Sequence, residues 1–433
     1  DTASVLQIAT TSALIAGSGS KLLFSDNGGE YISGDGTNLT ITSGADIIFA
    51  TAAGGSVYYA GGGGSNNTVF GNNAGDALAS GGDQNTVFGE DALGAQTVGD
   101  GNTVFGYKAM EDANSDSIDM NTVIGREAGD DFGTAAVANT VLVGNNAGTA
   151  INHADASGTV AVGNKAGAAL TSGTRNIAIG YQALQHADTA TDNIAIGYGA
   201  MGDQDVGGDG EAADSDYNIA IGTNSMGGAW ADAKSEFNVA IGANTMEGAM
   251  NASSNNVAVG NVALAALTEG DENTVVGSAA GDALTTGSYN TAFGRNALGA
   301  EITGSRNTAI GYECMRDYIL DDEGQNVAVG MYAMTNYDTG QYNVAIGYAA
   351  LTGPGGGASG ANNTAVGRAA LTVNTASNNT AIGYESMIAN TTGDYNTAVG
   401  LDSLKTNIGG AQNTALGRAA LALSSSGAYN VAV

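Results

Sequence analysis

The sequence has few positive charges, and this scarcity excludes several kinds of partner. Only 12 of the 433 residues are Lys or Arg, against 43 Asp or Glu, so the formal net charge is −31. Nucleic acids and anionic membrane surfaces are bound through clustered cations, so the composition argues against both. Such a charge suits a protein that stays soluble at high local density, because neighbouring copies repel each other.

Proline, cysteine and long apolar runs are also scarce. The chain has one Pro and one Cys, so no intrachain disulfide can form. No apolar run reaches the roughly 18 residues of a membrane-spanning helix, so we predict a protein that is not embedded in a membrane. Gly, by contrast, accounts for 69 residues, and 43% of the chain is hydrophobic. This composition favours short strands and tight turns over disorder.

One short phrase recurs from Asn67 onward: Asn, a β-branched residue, Ala or Val, a large apolar residue, and Gly. Twenty copies end between Gly71 and Gly417, most often 17 residues apart, and another begins at Asn430, where we expect it to be cut off. The first and last residues of four copies are Asn85 and Gly89, Asn193 and Gly197, Asn307 and Gly311, and Asn413 and Gly417. So short a unit cannot bury its own apolar face. The repeat therefore predicts an all-β parallel β-solenoid, or β-roll, of about 20 short repeats over residues 61–433.

The residues of the phrase predict how the coils stack. Three apolar or β-branched residues before a glycine indicate a short strand that is buried on both faces. The Asn begins 18 of the 20 complete copies, and Thr140 and Thr159 replace it in the other two. We expect the Asn and Gly of the phrase to be structural ladder residues, with each Asn amide bonded to the coils above and below.

A second pattern follows each glycine and predicts the rest of the core. Two variable residues come next, then a small residue, then Leu, Met or Gly. Where Gly holds that last position, an apolar residue follows three places later, as Phe132 follows Gly129 and Leu284 follows Gly281. We expect the later residue to fill the same space in the core.

A single solenoid can bury only one face of each strand. The other face would leave an apolar stripe along the coils, which isolated soluble proteins rarely tolerate. We therefore expect burial against identical chains, with the small third residue of the phrase permitting close approach. The second residue, as at Thr68, Thr86 and Thr103, is expected to be buried, which argues against an ice-binding solenoid with an exposed row of Thr.

Residues 1–60 do not follow the phrase. Two segments, 21–24 and 38–42, are predicted to be short strands separated by Gly-containing turns. We predict that residues 1–60 form a β-rich N-terminal connector to the solenoid.

Few residues are candidates for chemistry. His153 and His186 stand alone in variable loops. Cys314 occupies a position that holds Ala or Ser in other copies, so we expect a buried structural thiol. No catalytic residue or cofactor is predicted, and we do not expect the chain to be an enzyme.

The longest insertion carries an acidic cluster. Asp203, Asp205, Asp209 and Asp214 are weak candidates for calcium ligands, because Ca²⁺ takes oxygen ligands. Their spacing is not that of an EF-hand, and we favour a solvated acidic loop.

Tyrosines recur directly after the phrase glycine. Five of them are candidate glycan-contact residues: Tyr181, Tyr198, Tyr312, Tyr348 and Tyr384. Other tyrosines precede the Asn. Rings in successive coils are neighbours by construction, so we favour stacking without a ligand.

The phrase, extended to Asn-Thr/Val-Ala-Ile/Val-Gly-x-x-Ala/Ser-Leu/Met, resembles the repeat in the head of trimeric autotransporter adhesins over residues 67–433. That resemblance implies a left-handed parallel β-roll in an intertwined or side-by-side homotrimeric rod. The coil is longer than the adhesin repeat, and in this it is similar to tail-fibre and host-specificity proteins of tailed phages. Residues 23–44 also resemble segments of such phage proteins.

The resemblance implies a structural shaft in the phage tail, outside the cell. Its partners would be itself, other virion tail proteins and a host-surface receptor or glycan. A bacterial trimeric autotransporter-like adhesin head, or an ice- or glycan-binding solenoid, remains an alternative.

Overall fold

The structure is a computed structural model. It describes residues 65–78, 81–95, 98–115, 117–202, 215–230, 233–319, 324–355 and 357–433. Over these residues the chain is an all-β parallel β-solenoid of about 20 turns without an α-helix, which confirms that part of the predicted fold class. The predicted connector, residues 1–60, lies outside the described residues.

Each copy of the phrase forms one short strand. The strands are β1 (Thr68–Phe70), β2 (Thr86–Phe88), β3 (Thr103–Phe105), β4 (Thr122–Ile124), β5 (Val141–Val143), β6 (Val160–Val162), β7 (Ile177–Ile179), β8 (Ile194–Ile196), β9 (Ile219–Ile221), β10 (Val239–Ile241), β11 (Val257–Val259), β12 (Thr274–Val276), β13 (Thr291–Phe293), β14 (Thr308–Ile310), β15 (Val327–Val329), β16 (Val344–Ile346), β17 (Thr364–Val366), β18 (Thr380–Ile382), β19 (Thr397–Val399), β20 (Thr414–Leu416) and β21 (Val431–Ala432). A short 3₁₀ turn, Ala154–Ala156, lies between β5 and β6.

Every strand pairs in parallel with the strand of the next coil, so that equivalent residues of the phrase lie opposite each other. Thr86, for example, pairs with Thr68 below and Thr103 above. Its backbone N–H donates to the carbonyl of Asn102 at 2.8 Å. With strands about 4.8 Å apart, β1 to β21 extend over a distance on the order of 100 Å.

The middle residue of each strand points into the coil. From β2 to β20 this residue is at most 1% exposed. The expectation that the small third residue of the phrase lets chains approach each other is therefore wrong. This residue is small because the interior is narrow: where β5 has Leu142 instead, the facing residues are Gly129 and Gly148. A Cβ atom on either would lie 3.0 or 2.8 Å from a Leu142 methyl group.

The glycine that ends each phrase is required by the coil above it. Gly89 has a φ of +140°, and a Cβ atom there would lie 2.1 Å from the carbonyl oxygen of Gly106. Both the backbone angle and the close approach exclude other residues. The invariance of this glycine thus reflects stacking.

The predicted compensation after the glycine is confirmed. Leu93 and Met110, four residues past their glycines, are fully buried. Gly129 holds the equivalent position one coil after Met110, and a Cβ atom there would lie 3.0 Å from the ring of the fully buried Phe132. The Leu or Met at this position and the apolar residue three places after a Gly at this position therefore fill the same part of the core.

Candidate functional site: ladders and exposed columns

The phrase asparagines lie in a row inside the solenoid. Asn85 is fully buried, and its Oδ1 atom accepts the backbone N–H of Asn102 at 2.9 Å. Its Nδ2 atom donates to the carbonyl of Gly99 at 2.8 Å. Both of these partners belong to the next coil, so Asn85 holds two backbone groups of the coil above it. The pattern is not complete everywhere: the buried Nδ2 atom of Asn307 has no partner among the described residues, and that of Asn379 donates to Ser377 of its own coil.

The other predicted ladder residues lie in equivalent places. Asn193 accepts the N–H of Asn218 at 2.9 Å, and Asn307 accepts that of Asn326 at 3.1 Å. Asn413 accepts the N–H of Asn430 at 3.0 Å. The paired glycines Gly197 and Gly311 face the carbonyl of the next phrase glycine, as Gly89 does, whereas a Cβ atom on Gly417 would meet Val433 at 3.8 Å.

The row is interrupted at Thr140 and Thr159. The hydroxyl of Thr140 donates to the Oδ1 atom of Asn121 at 2.8 Å. The hydroxyl of Thr159 is fully buried and has no hydrogen-bond partner among the described residues. These two coils therefore lack the side-chain amide that ties each coil to the next.

A second row of side-chain bonds runs along the neighbouring corner, two residues before the Asn. The backbone N–H of Asp100 donates to the Oδ1 atom of Asp119 at 2.8 Å. In the same way, the N–H of Ser288 donates to the Oγ atom of Ser305 at 3.0 Å. This row was not predicted from the sequence, although recurrent Asp or Ser two residues before Asn is a visible signal of it.

The outward face of the strands carries two columns, the second and fourth residues of the phrase. Phe293 is 57% exposed and Leu416 is 49% exposed, whereas β-branched residues of the second column are half-buried or exposed. The expectation that the second residue is buried is therefore wrong for a single chain, as the exposed Thr274 and Thr291 show. The predicted apolar stripe is present on this face.

Side chains that directly follow the phrase glycine form a column of exposed and half-buried residues, which we call the trailing column, from Asn72 to Arg418. The predicted tyrosines belong to it. Tyr181 and Tyr198 stack with ring centroids 5.4 Å apart. Arg368 lies over the rings of Tyr348 and Tyr384, at 5.6 and 5.2 Å from their centroids. These contacts join side chains of neighbouring coils.

Tyr312 contacts one residue of the trailing column and one beside it. The guanidinium of Arg295, in the column, lies 5.8 Å from its ring centroid. Its ring also meets that of Tyr332 edge to face at 5.7 Å, and Tyr332 meets Tyr348 edge to face at 5.9 Å. Through Tyr332 and Arg368, the structure thus places Tyr312, Tyr348 and Tyr384 in one continuous run of contacts, apart from the pair at Tyr181.

The residues directly before the phrase Asn or Thr form a second exposed column on the other side of the strands, which we call the leading column, from Asn66 to Tyr429. Tyr217 and Phe237 stack in it, with centroids 5.0 Å apart. Arg306 lies 5.6 Å from the ring centroid of Tyr289. Each of these side chains projects from a backbone with positive φ. The outward strand face is therefore flanked by an aromatic and cationic column on each side.

The acidic calcium candidates Asp203, Asp205, Asp209 and Asp214 lie outside the described residues. A different acidic groove of about 270 Å³ is lined by Asn73, Asp76, Asp91, Gly94, Ala95, Glu111 and Asp112. At its edge, burial and then the charge of Glu111 raise the pKa of Asp130 to about 6. No group of His, Cys, Asp and Glu in the described part of the chain has the arrangement of a metal site.

The other candidate residues occupy isolated positions. Cys314 is fully buried, as expected, and burial raises the pKa of its thiol to about 12. The exposed His153 accepts the backbone N–H of Asp155 through Nδ1 at the 3₁₀ turn. Over the described residues, no helix is long and apolar enough to cross a membrane.

The sequence matches no family model and no curated protein.

Proposed function

We propose that the protein is the structural shaft of a phage tail fibre, a homotrimer that contributes to attachment at the host surface. The observation that carries the proposal is the outward strand face, an apolar stripe that continues from coil to coil. Soluble proteins rarely leave so long an apolar surface in water. Burying three such faces around a common axis gives a stiff rod, and the number three comes from the resemblance to adhesin heads.

The charge of the chain supports a crowded setting. A net charge of −31 keeps separate rods apart in solution. The buried Asn ladder and the in-register strands tie each coil to the next and so support a stiff rod. In this role the partners are two further copies of the chain, other virion tail proteins, and a receptor or glycan of the host.

Light scattering on the full chain, combined with electron microscopy, tests the trimer. A rod with three times the chain mass of 42.5 kDa supports the proposal. A stable monomer contradicts it. Immunogold labelling then separates the phage shaft from a bacterial adhesin head, because label on virion tails supports the first and label on bacterial cells supports the second.

The exposed threonines favour one further candidate, an ice-binding solenoid. Thr274 and Thr291 are exposed in successive coils, and Thr308 continues their row. Val and Ile interrupt the row elsewhere, as at Val327 and Ile194. Thermal hysteresis shown by a monomeric chain would favour this function, whereas its absence from a trimer would exclude it.

A further inference from the structure

The leading and trailing columns do not contact each other within one chain. Five residues of mostly extended backbone lie between them in every coil, so the two columns are roughly 20 Å apart. Among the described residues, ring contacts run along a column from coil to coil, as between Tyr217 and Phe237 or between Tyr181 and Tyr198. No ring contact joins one column to the other within this part of the chain. A correlation between the leading and the trailing residue of one coil is therefore not explained by contacts inside the chain.

Some coils nevertheless combine side chains of complementary size in the two columns. Of the ten coils that have a Tyr or Phe in either column and a residue in both, three pair the ring with a small residue, and one, with Tyr342 and Tyr348, has two rings. The three pairs, with the leading residue given first, are Gly101 and Tyr107, Tyr217 and Thr223, Phe237 and Ala243. Side chains that never touch within a chain have no intrachain reason to compensate for each other.

The columns are also matched in charge. They hold half of the 12 cations of the chain, although they contain about a tenth of its residues. Three coils pair an arginine with a tyrosine: Arg175 and Tyr181, Tyr289 and Arg295, Arg306 and Tyr312. No coil places two cations or two acids in the two columns. Arginine over a tyrosine ring is a favourable pair, and like charges face to face are not.

We infer that the leading column of one chain packs against the trailing column of a second copy, at the same coil. Rotation about an axis parallel to the stack keeps every coil at its own height, so equivalent coils of two copies lie level. When the outward faces meet around that axis, the leading edge of one face borders the trailing edge of the next. Residues matched across a coil then become neighbours between chains.

This arrangement has the anatomy of a protein interface. The second and fourth residues of the phrase form its apolar centre. The two columns form a rim that is rich in Tyr and Arg, the residue types enriched where proteins associate. The inference rests on the self-association proposed above and adds which residues meet and at what level.

Cysteine pairs test the inference. Phe237→Cys and Ala243→Cys in one chain place one thiol in each column of the same coil, and Cys314 does not compete because it is buried. Mild oxidation is expected to give reducible covalent dimers and trimers, since disulfides form only between Cα atoms within about 7 Å. Matched controls are Phe237→Cys with Asn261→Cys, one coil higher, and Phe237→Cys alone.

The outcomes separate this inference from the proposed function. Cross-linking by Phe237→Cys alone, or preferentially by the pair with Asn261→Cys, overturns the same-level pairing. An associated rod that no pair cross-links also overturns it and leaves the fibre intact. A monomer in light scattering contradicts both the pairing of the columns and the proposed trimeric shaft.

A charge test uses two asparagines of the leading column that have the same φ of +59°. Asn362→Arg would face Arg368 of the next copy, whereas Asn378→Arg would face Tyr384. The first change is expected to weaken association, with salt restoring it, and the second is not. Equal effects of the two changes would contradict the inference.

Discussion

The hydroxyl of Thr140 donates to the Oδ1 atom of Asn121 at 2.8 Å, and that same oxygen accepts the backbone N–H of Thr140 at 2.9 Å. One coil later, the buried hydroxyl of Thr159 has no partner among the described residues. Two threonines in the same position of the phrase therefore differ in whether their hydroxyl is satisfied. That difference makes them a matched pair for experiment.

Thr159→Val is expected to stabilise the coils around β5 and β6 by about 1 kcal/mol, because it removes an unsatisfied buried hydroxyl. Thr140→Val is expected to destabilise them by about the same amount, because it removes a hydrogen bond. Hydrogen exchange of the strand amides measures both changes locally. Equal effects of the two substitutions would show that the hydroxyl of Thr159 is satisfied.

Asn273→Ala is expected to cost about 2–4 kcal/mol, because it leaves buried backbone groups unpaired. Asn273 accepts the N–H of Asn290 at 2.9 Å and donates to the carbonyl of Gly287 at 2.9 Å. Asn152→Ala, at an exposed position outside both columns, is the control and is expected to change stability by less than about 0.5 kcal/mol. Local opening free energies from hydrogen exchange give the comparison, and a neutral Asn273→Ala would refute the stabilising role of the ladder.

Gly311→Ala is expected to cost about 4 kcal/mol or to prevent stacking, because strain and collision add. Its φ is +142°, and the new Cβ atom would lie 2.5 Å from the carbonyl oxygen of Gly330. Gly355→Ala is the control: its φ is +85°, but no atom lies within 4 Å of the new Cβ. Thermal unfolding followed by circular dichroism is expected to show a much larger fall in the midpoint temperature for Gly311→Ala than for Gly355→Ala. Equal losses would assign the effect to the backbone angle alone.

Asp130→Asn is expected to raise the midpoint of thermal unfolding more at pH 7 than at pH 4. In the folded chain the pKa of Asp130 is raised from 3.8 to about 6, so the folded state binds the proton more tightly than the unfolded state. The stability from this proton is present below about pH 4 and is lost as the pH rises through 6. Asp131→Asn controls for removing one negative charge, and a pH-independent gain at Asp130 would contradict the shift.

The coil itself was predictable because Asn and Gly recur at fixed places in the phrase. Which strand face points inward was not, because the residues on both faces are apolar. Ala240 fits inside and Ile241 lies outside, and this choice depends on the width of the interior, which the phrase does not encode. The burial of Phe132 was predictable, because an apolar residue follows three places later wherever Gly replaces Leu or Met, as at Gly129.

The exposed columns were predicted only in part. The recurrence of tyrosine after the glycine was evident in the sequence. The height of Phe237 and Ala243 along the stack of coils was not, because it depends on how each coil is stacked on the one before it. The row at Asp100 and Asp119 requires knowledge of which backbone N–H groups face the neighbouring coil. Such pairings arise between residues about one coil apart, which a local pattern does not show.

The direction of the Asn ladder has a consequence for biosynthesis. Asn85 offers its oxygen and its amide to Asn102 and Gly99, both of which leave the ribosome after it. A completed coil thus presents hydrogen-bond donors and acceptors that are paired only by the part of the chain that emerges next. We expect the solenoid to grow in the order of synthesis, one coil at a time. We also expect the last coil of a stalled chain to expose a strand edge with unpaired hydrogen-bonding groups, to which another chain can bind.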